Sequence, residues 1–395
     1  MIAITAATLF TPLERIEQPL LLVEDASIVE VTSRARREAP IGSRGLDFPG
    51  GILAPGFIDI HIHGGAGHDV MEAGADALPP LERLLGRHGV SSYFPTTVTA
   101  PLEATLSALE RLADAIEAAD VKAVDRGPQA TERARPLGIH LEGPFISHSR
   151  RGVHPPENLL APSLPAFDRF WQAARGHIRM LTIAPELPGA IEVITEAAKR
   201  GVCVSLGHSD ADLNAARAGV AAGARHATHT FNAMRPLGHR DPGILGEVLT
   251  DSRLSADIIA DGIHLDPEIV QLFLKAKGPD AAVLITDATA ATGMRDGRYR
   301  LGSLEVEVKD GKCMNGGNLA GSVLTMDLAV RNVMQFAQWD LQQAVRLATL
   351  NPARVANLNG GLREVGLLKA GAPADLVVLS PTGEVRNTII GGAGI

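Results

Sequence analysis

Short apolar runs broken by turn residues open the chain. "IAITAATLFTP" and "PLLLVEDASIVEVTS" read as strands, and no 3.6-residue period occurs before Gly56. From there strand-like runs alternate with amphipathic helical stretches. In "LEATLSALERLADAIEAAD" the residues Leu102, Leu106, Leu109, Leu112 and Ile116 fall on one helical face. "DPEIVQLFLKAKG" offers Asp266 as N-cap, Pro267 in the first turn, Lys275 and Lys277 near the end, and Gly278 as the stop. Eight strand candidates lie between the helical stretches: "GFIDIHIH", "VSSYFPTTV", "LGIHLEG", "IRMLTIAPE", "VCVSLGH", "ARHATHTF", "RLSADIIADG" and "AVLITDA". Eight βα units are the number that closes a TIM barrel.

After the eighth candidate, Asp310-Gly311 between alternating segments predicts a β-hairpin inserted in the last loop. Helices are expected around 324–338 and 341–358. "GLLKAGAPADLVVLSPTGEVRNTIIGG" then returns to strand texture. The pattern predicts an α/β chain with two units: a (β/α)8 barrel over 56–350, and a small β-sandwich formed by both chain ends, 1–55 with 351–395.

In a barrel, chemistry sits where strands give way to loops. The predicted strand ends carry His61 and His63, Thr96 and Thr97, Glu142, Glu186, His208, His229, Asp261 with His264, and Asp287. His61 and His63 are one residue apart, so in a strand both imidazoles share a face. Leaving them buried and unpaired is costly. With Glu142, His208, His229 and Asp287 they make four imidazoles and two carboxylates converging on one mouth. That set has nitrogen and oxygen donors and no thiolate, which suits a catalytic site for one or two divalent ions. Zinc is the default, with iron or manganese as alternatives.

Composition narrows the partners. The 395 residues are 45% apolar and 21% charged, ordinary for a globular enzyme, and the formal net charge of −8 argues against nucleic acid. An anionic small substrate would need a local cationic pocket. The two cysteines, Cys203 and Cys313, make no disulfide framework and read as free thiols of a reducing cytoplasm. Cys203 has the opposite strand parity to His208 and is expected to face the helices. No apolar run approaches the roughly 18 residues of a membrane span, and "MIAITAATLFTPLERIEQ" lacks the basic segment of a secretory leader. A cytoplasmic location with no membrane partner is expected.

"PGFIDIHIHGG" resembles the entry motif of the amidohydrolase superfamily. "HLEGPF", "LGHS", "HTFNAM", "DGIH", "TDA" and "LAGSVLTM" occur in the order found in that superfamily's deacetylases of N-acetylated amino-sugar 6-phosphates, and "GLLKAGAPADLVVL" resembles the superfamily's closing segment. Relatives that bridge two metals with a carboxylated lysine carry it at the end of the fourth strand. Here that strand reads "LTIAPE" and has none.

The resemblance implies hydrolysis of N-acetyl-D-glucosamine 6-phosphate to D-glucosamine 6-phosphate and acetate. The galactosamine epimer, another hydrolase of the superfamily, and a non-catalytic binding protein are the alternatives; the last should have lost Asp287 or a ligand. By the same resemblance Glu142, His208 and His229 hold the principal ion. His61 and His63 add capacity for a second ion, bridged by Glu142, and Asp287 is the acid–base. Val153 and His154 of "RRGVHPPE" meet the substrate, with His154 near the scissile carbonyl. Asn232 and the Ala233 backbone N–H follow the ligand His229 by one turn. Arg240 of "HRDPG" and His264, beside Asp261, are the phosphate contacts, and Leu319, Ala320 and Gly321 close over the sugar. The family's dimeric state implies a homodimer.

Overall fold

The computed structural model describes residues 1–72, 78–125, 133–357 and 364–394. All eight predicted strands form: β1 (Phe57–Ile62), β2 (Val90–Thr97), β3 (Ile139–Glu142), β4 (Ile178–Ile183), β5 (Cys203–Leu206), β6 (His226–Ala227), β7 (Ala256–Ile259) and β8 (Ala282–Ile285). Strands β1 to β6 pair in sequence order as a curled parallel sheet, and β7 pairs with β8, again in parallel. Backbone bonds link the two pieces. Ala227 N donates to Ser255 O at 3.1 Å and Thr230 N to Asp257 O at 2.9 Å. On the other side Asp287 N donates to His61 O at 2.9 Å and His63 N to Ala288 O at 2.8 Å. The result is a TIM-barrel-like α/β fold.

Strand β6 is much shorter than "ARHATHTF" suggested. His229, Phe231 and Ala233 have φ of 28°, 79° and 50°, so the backbone leaves the extended region two residues after Ala227. The helix Leu102–Asp125 buries Leu109, Leu112 and Ile116, with Leu102 and Leu106 partly buried. Asp266 caps the helix Pro267–Ala281, accepting from Glu268 N at 3.1 Å, and Gly278 breaks its helical geometry as expected. The hairpin is also present. Asp310 (φ 51°) and Gly311 (φ 75°) join Leu304–Lys309 to Lys312–Asn315, the two left-handed residues of a tight hairpin turn. The stretch expected at 341–358 is divided between Leu341–Leu347 and Leu350–Val355, and Leu358 lies outside the described residues.

Strands from the two chain ends share one sheet. Ile2–Phe10 pairs in parallel with Arg44–Pro55, which pairs antiparallel with Leu376–Leu379. Ile4, Leu21, Val23, Leu53, Leu376, Val378 and Ile389 form an apolar cluster of their own against this sheet.

Candidate metal centre and active site

Strand β1 is buried throughout, including its polar residues. Asp59, His61 and His63 lie on one face by strand parity. The Asp59 carboxylate accepts from His61 N at 3.2 Å and from the Thr286 hydroxyl at 2.5 Å. Burial pushes its pKa up to about 6 against these bonds. The clamp ties the end of β1 to the end of β8, which delivers Asp287.

The predicted donors converge on Glu142. Its Oε1 lies 3.0 Å from His229 Nε2, 3.2 Å from His208 Nε2 and 3.5 Å from His61 Nε2. Its Oε2 lies 3.3 Å from His63 Nε2 and 3.6 Å from His154 Nε2. Asp287 Oδ1 is 3.1 Å from His63 Nε2 and 3.5 Å from His61 Nε2. Two triads result, Glu142–His208–His229 and His61–His63–Asp287, each fully buried with donor atoms within 4.8 Å of one another. Imidazole nitrogens face each other at 3.1 Å (His208, His229) and 3.2 Å (His61, His63). Lone pairs so placed need a proton or a cation between them, so the donor set fits divalent metal.

The electrostatics agree. Burial alone would raise the Glu142 carboxyl, but the surrounding imidazoles, His61 foremost, hold it well below the usual range. Asp287 is held near 2 against burial, chiefly by the charge of His61 and the bond from His63. Burial lowers His208 to about 4, whereas at His229 the Glu142 carboxylate overrides burial and raises the ring to about 9. A proton attracted to His229 marks the place where a cation is favoured, because metal displaces ligand protons.

Ring orientation comes from outside the triads. His63 Nδ1 meets Thr96 O at 3.0 Å and His208 Nδ1 meets Arg150 O at 2.9 Å. Glu186 positions the loop after His208, accepting from Ser209 Oγ at 2.7 Å and Asp210 N at 2.6 Å. His140 packs 4.6 Å from the His61 ring and bonds Thr182 Oγ1 at 2.7 Å. His208, His229 and Asp287 all have φ between 28° and 50°, a left-handed conformation that persists only where the surroundings enforce it.

Above the donors opens a cavity of about 470 Å³. Of the expected substrate residues, Val153, His154, Asn232, Ala233, His264, Leu319 and Gly321 line it. Gly321 (φ 63°) must be glycine, because a Cβ there would sit 2.6 Å from Thr289 Cγ2 and 2.9 Å from Asp287 O. Ala320 is buried, and its N–H bonds Cys313 O at 3.0 Å. Asp261 is turned to His264, accepting from its Nδ1 at 2.7 Å and from its N–H at 2.8 Å, so it fixes that ring. Arg240 is exposed and does not line the cavity. Sequence reading missed Arg150, Arg151 and Asn318, which do line it; "RRG" beside Val153 and His154 was the available signal. Cys203 is partly buried and packs against the main apolar core.

A parallel α/β barrel whose strand ends gather two buried triads of nitrogen and oxygen donors is the frame of a metal-dependent hydrolase. The chain belongs to the amidohydrolase family, whose model matches residues 52–394. It is 40% identical over 385 residues to the N-acetylglucosamine-6-phosphate deacetylase of Bos taurus, covering 94% of this chain and 90% of that one. It is 39% identical over 342 residues to the N-acetylgalactosamine-6-phosphate deacetylase of Escherichia coli O157:H7, covering 86% and 87%. Among solved structures, an aspartate-to-alanine variant of N-acetyl-D-glucosamine-6-phosphate deacetylase from Mycobacterium smegmatis, in complex with N-acetyl-D-glucosamine-6-phosphate, superimposes with a TM-score of 0.89. It is 35% identical to this chain and covers 100% of this chain and 98% of its own.

Proposed function

We propose that the chain hydrolyses the acetamide of N-acetyl-D-glucosamine 6-phosphate, releasing acetate and D-glucosamine 6-phosphate. The observation that carries this reading is Asp287 beside the Glu142–His208–His229 triad, under a cavity walled by His154 and His264. It is supported by the deacetylases that match nearly the whole chain.

Glu142, His208 and His229 would hold the principal ion and His61 with His63 a second, zinc being the first choice for such donors. A divalent ion there supplies a water of lowered pKa and polarises the acetamide carbonyl. Asp287, held ionised, takes a proton from the attacking water and returns it to the departing amine. One carboxylate serves both steps because they are sequential. Thr99 N–H donates to His154 Nδ1 at 3.2 Å, which leaves the ring N–H at Nε2, on the side of the cavity. That N–H is placed to donate to the developing oxyanion. Val153, Asn232 and the Ala233 N–H orient the sugar, and Leu319 to Gly321 cover it.

His264, braced by Asp261, meets the phosphate. Arg240 completes the phosphate site from the surface of a neighbouring subunit in a homodimer, which accounts for its exposure here. Arg240→Ala is then expected to raise KM for the phosphorylated sugar at least tenfold more than for the unphosphorylated one. Equal losses on both would remove the phosphate role. We also assign 1–55 and 351–395 to one β-sandwich domain and 56–350 to the barrel, supported by the shared terminal sheet and its separate apolar cluster. No helix among the described residues is long and apolar enough to cross a membrane, and a cytoplasmic enzyme is proposed.

The deciding assay measures acetate release from the glucosamine and galactosamine epimers side by side, with metal analysis of the same preparation. Release from the first is expected, in parallel with metal content. No release from either by metal-loaded protein would overturn the reading, and a preference for the second would move it to the epimer.

A further inference from the structure

Beneath the candidate metal centre lies a buried histidine–aspartate pair that the chemistry above does not use. His226 Nε2 is 2.8 Å from Asp257 Oδ2, and both side chains are completely buried. His226 Nδ1 reaches Ser255 Oγ at 2.7 Å. The other carboxylate oxygen, Asp257 Oδ1, accepts the backbone N–H of His229. The Asp257 main chain joins in, its carbonyl accepting from Thr230 N at 2.9 Å.

The pair matters because of how the four ligand-type imidazoles are held. His63 and His208 each have Nδ1 bonded to a backbone carbonyl. The Nδ1 atoms of His61 and His229 are buried with no hydrogen-bond partner among the described residues. No hydrogen bond at Nδ1 holds either ring among the described residues, so beyond ring packing their placement rests on the main chain. In both cases a fully buried carboxylate takes the backbone N–H. At His61 it is Asp59, steadied by the Thr286 hydroxyl, and at His229 it is Asp257, steadied by His226. His229 has the more demanding backbone, at φ 28°.

We propose that the Asp257–His226 pair is the device that fixes His229 as a metal ligand: positioning residues acting through the backbone, with Ser255 holding the far side of His226. The inference rests on the assignment of His229 to the metal and not on the identity of the sugar. Partners that orient ligands typically alter metal affinity ~10–100-fold when removed, and a His229 backbone amide left without its acceptor, on a residue at φ 28°, is where that loss would arise.

The test loads the purified protein with Co²⁺, whose visible absorption reports the ligand field, and measures Co²⁺ affinity by chelator competition. Metal-free melting is followed separately. Asp257→Ala is expected to weaken Co²⁺ ~10–100-fold and to alter the absorption bands. Asp257→Asn, which can still accept from His229 N–H, should recover most of the affinity. Ser255→Ala leaves the His226–Asp257 contact in place, is expected to fold, and should weaken Co²⁺ a few-fold. A purely structural pair would lower melting in the alanine variants while leaving affinity and spectrum unchanged, and folded Asp257→Ala and Ser255→Ala proteins behaving so would overturn the proposal. Absence of tight Co²⁺ binding by the unaltered protein would overturn the ligand assignment and the clamp together.

Discussion

Asp287→Asn protein is expected to keep its metal and bind the sugar phosphate near normally, yet turn over ~10²–10⁴-fold more slowly. The asparagine preserves shape and can still accept from His63 through its carbonyl. What it loses is the base. In the folded protein that carboxyl is held near 2, so it is ionised across the working range and ready to take a proton from water. Proton transfer belongs to the transition state, so the loss should fall on kcat and leave KM little changed. The rival role is that of a ligand completing the His61–His63 triad. A ligand's removal would lower metal content instead. Measuring kcat, KM and bound metal on one preparation separates the two. Near-normal kcat with metal bound would move the proton shuttle to His154.

Glu142→Gln should fail differently, losing metal and activity together. Glu142 lies between five imidazoles, at 3.0 to 3.6 Å from their Nε2 atoms. Its charge would offset a bound cation, and its oxygens reach imidazoles of both triads. Neutralising it leaves a cluster of nitrogens around an uncharged amide, a poorer metal ligand. Metal content after dialysis should fall to a small fraction of stoichiometric, with residual activity tracking what metal is left. Retention of a full complement of metal by the glutamine variant would show that the histidines suffice without the carboxylate.

Much of this site was legible because its residues stand at strand ends, where a short motif fixes both position and direction. "HIH" and "HLEG" needed only strand parity to point a side chain at the barrel mouth, whereas His208, His229 and Asp287 of "LGHS", "HTF" and "TDA" stand just past their strands in left-handed backbone. Relations between strands were harder to read. His226 and Asp257 are 31 residues apart and each looks ordinary alone; their pairing appears only when β6 and β7 lie side by side. The partners of His88 and His177, Asp327 and Glu117, were hidden for the same reason. Asp261, expected among the substrate-binding residues with His264, has its carboxylate bonded to that histidine, a contact the motif alone does not display. The brevity of β6 follows from left-handed backbone at His229, which no propensity of histidine announces.

The terminal sheet has a consequence for how the chain is made. Strand Arg44–Pro55 takes its antiparallel partner, Leu376–Leu379, from more than three hundred positions later. During synthesis strand Arg44–Pro55 emerges early, yet its edge from Ile52 to Pro55 waits unpaired until residues 376–379 have been made and have left the ribosome. An uncovered edge next to an apolar cluster recruits other strands. A nascent chain stalled before residue 376 is therefore an aggregation hazard even with its barrel fully translated. Strand Leu376–Leu379 acts as a seal on that edge.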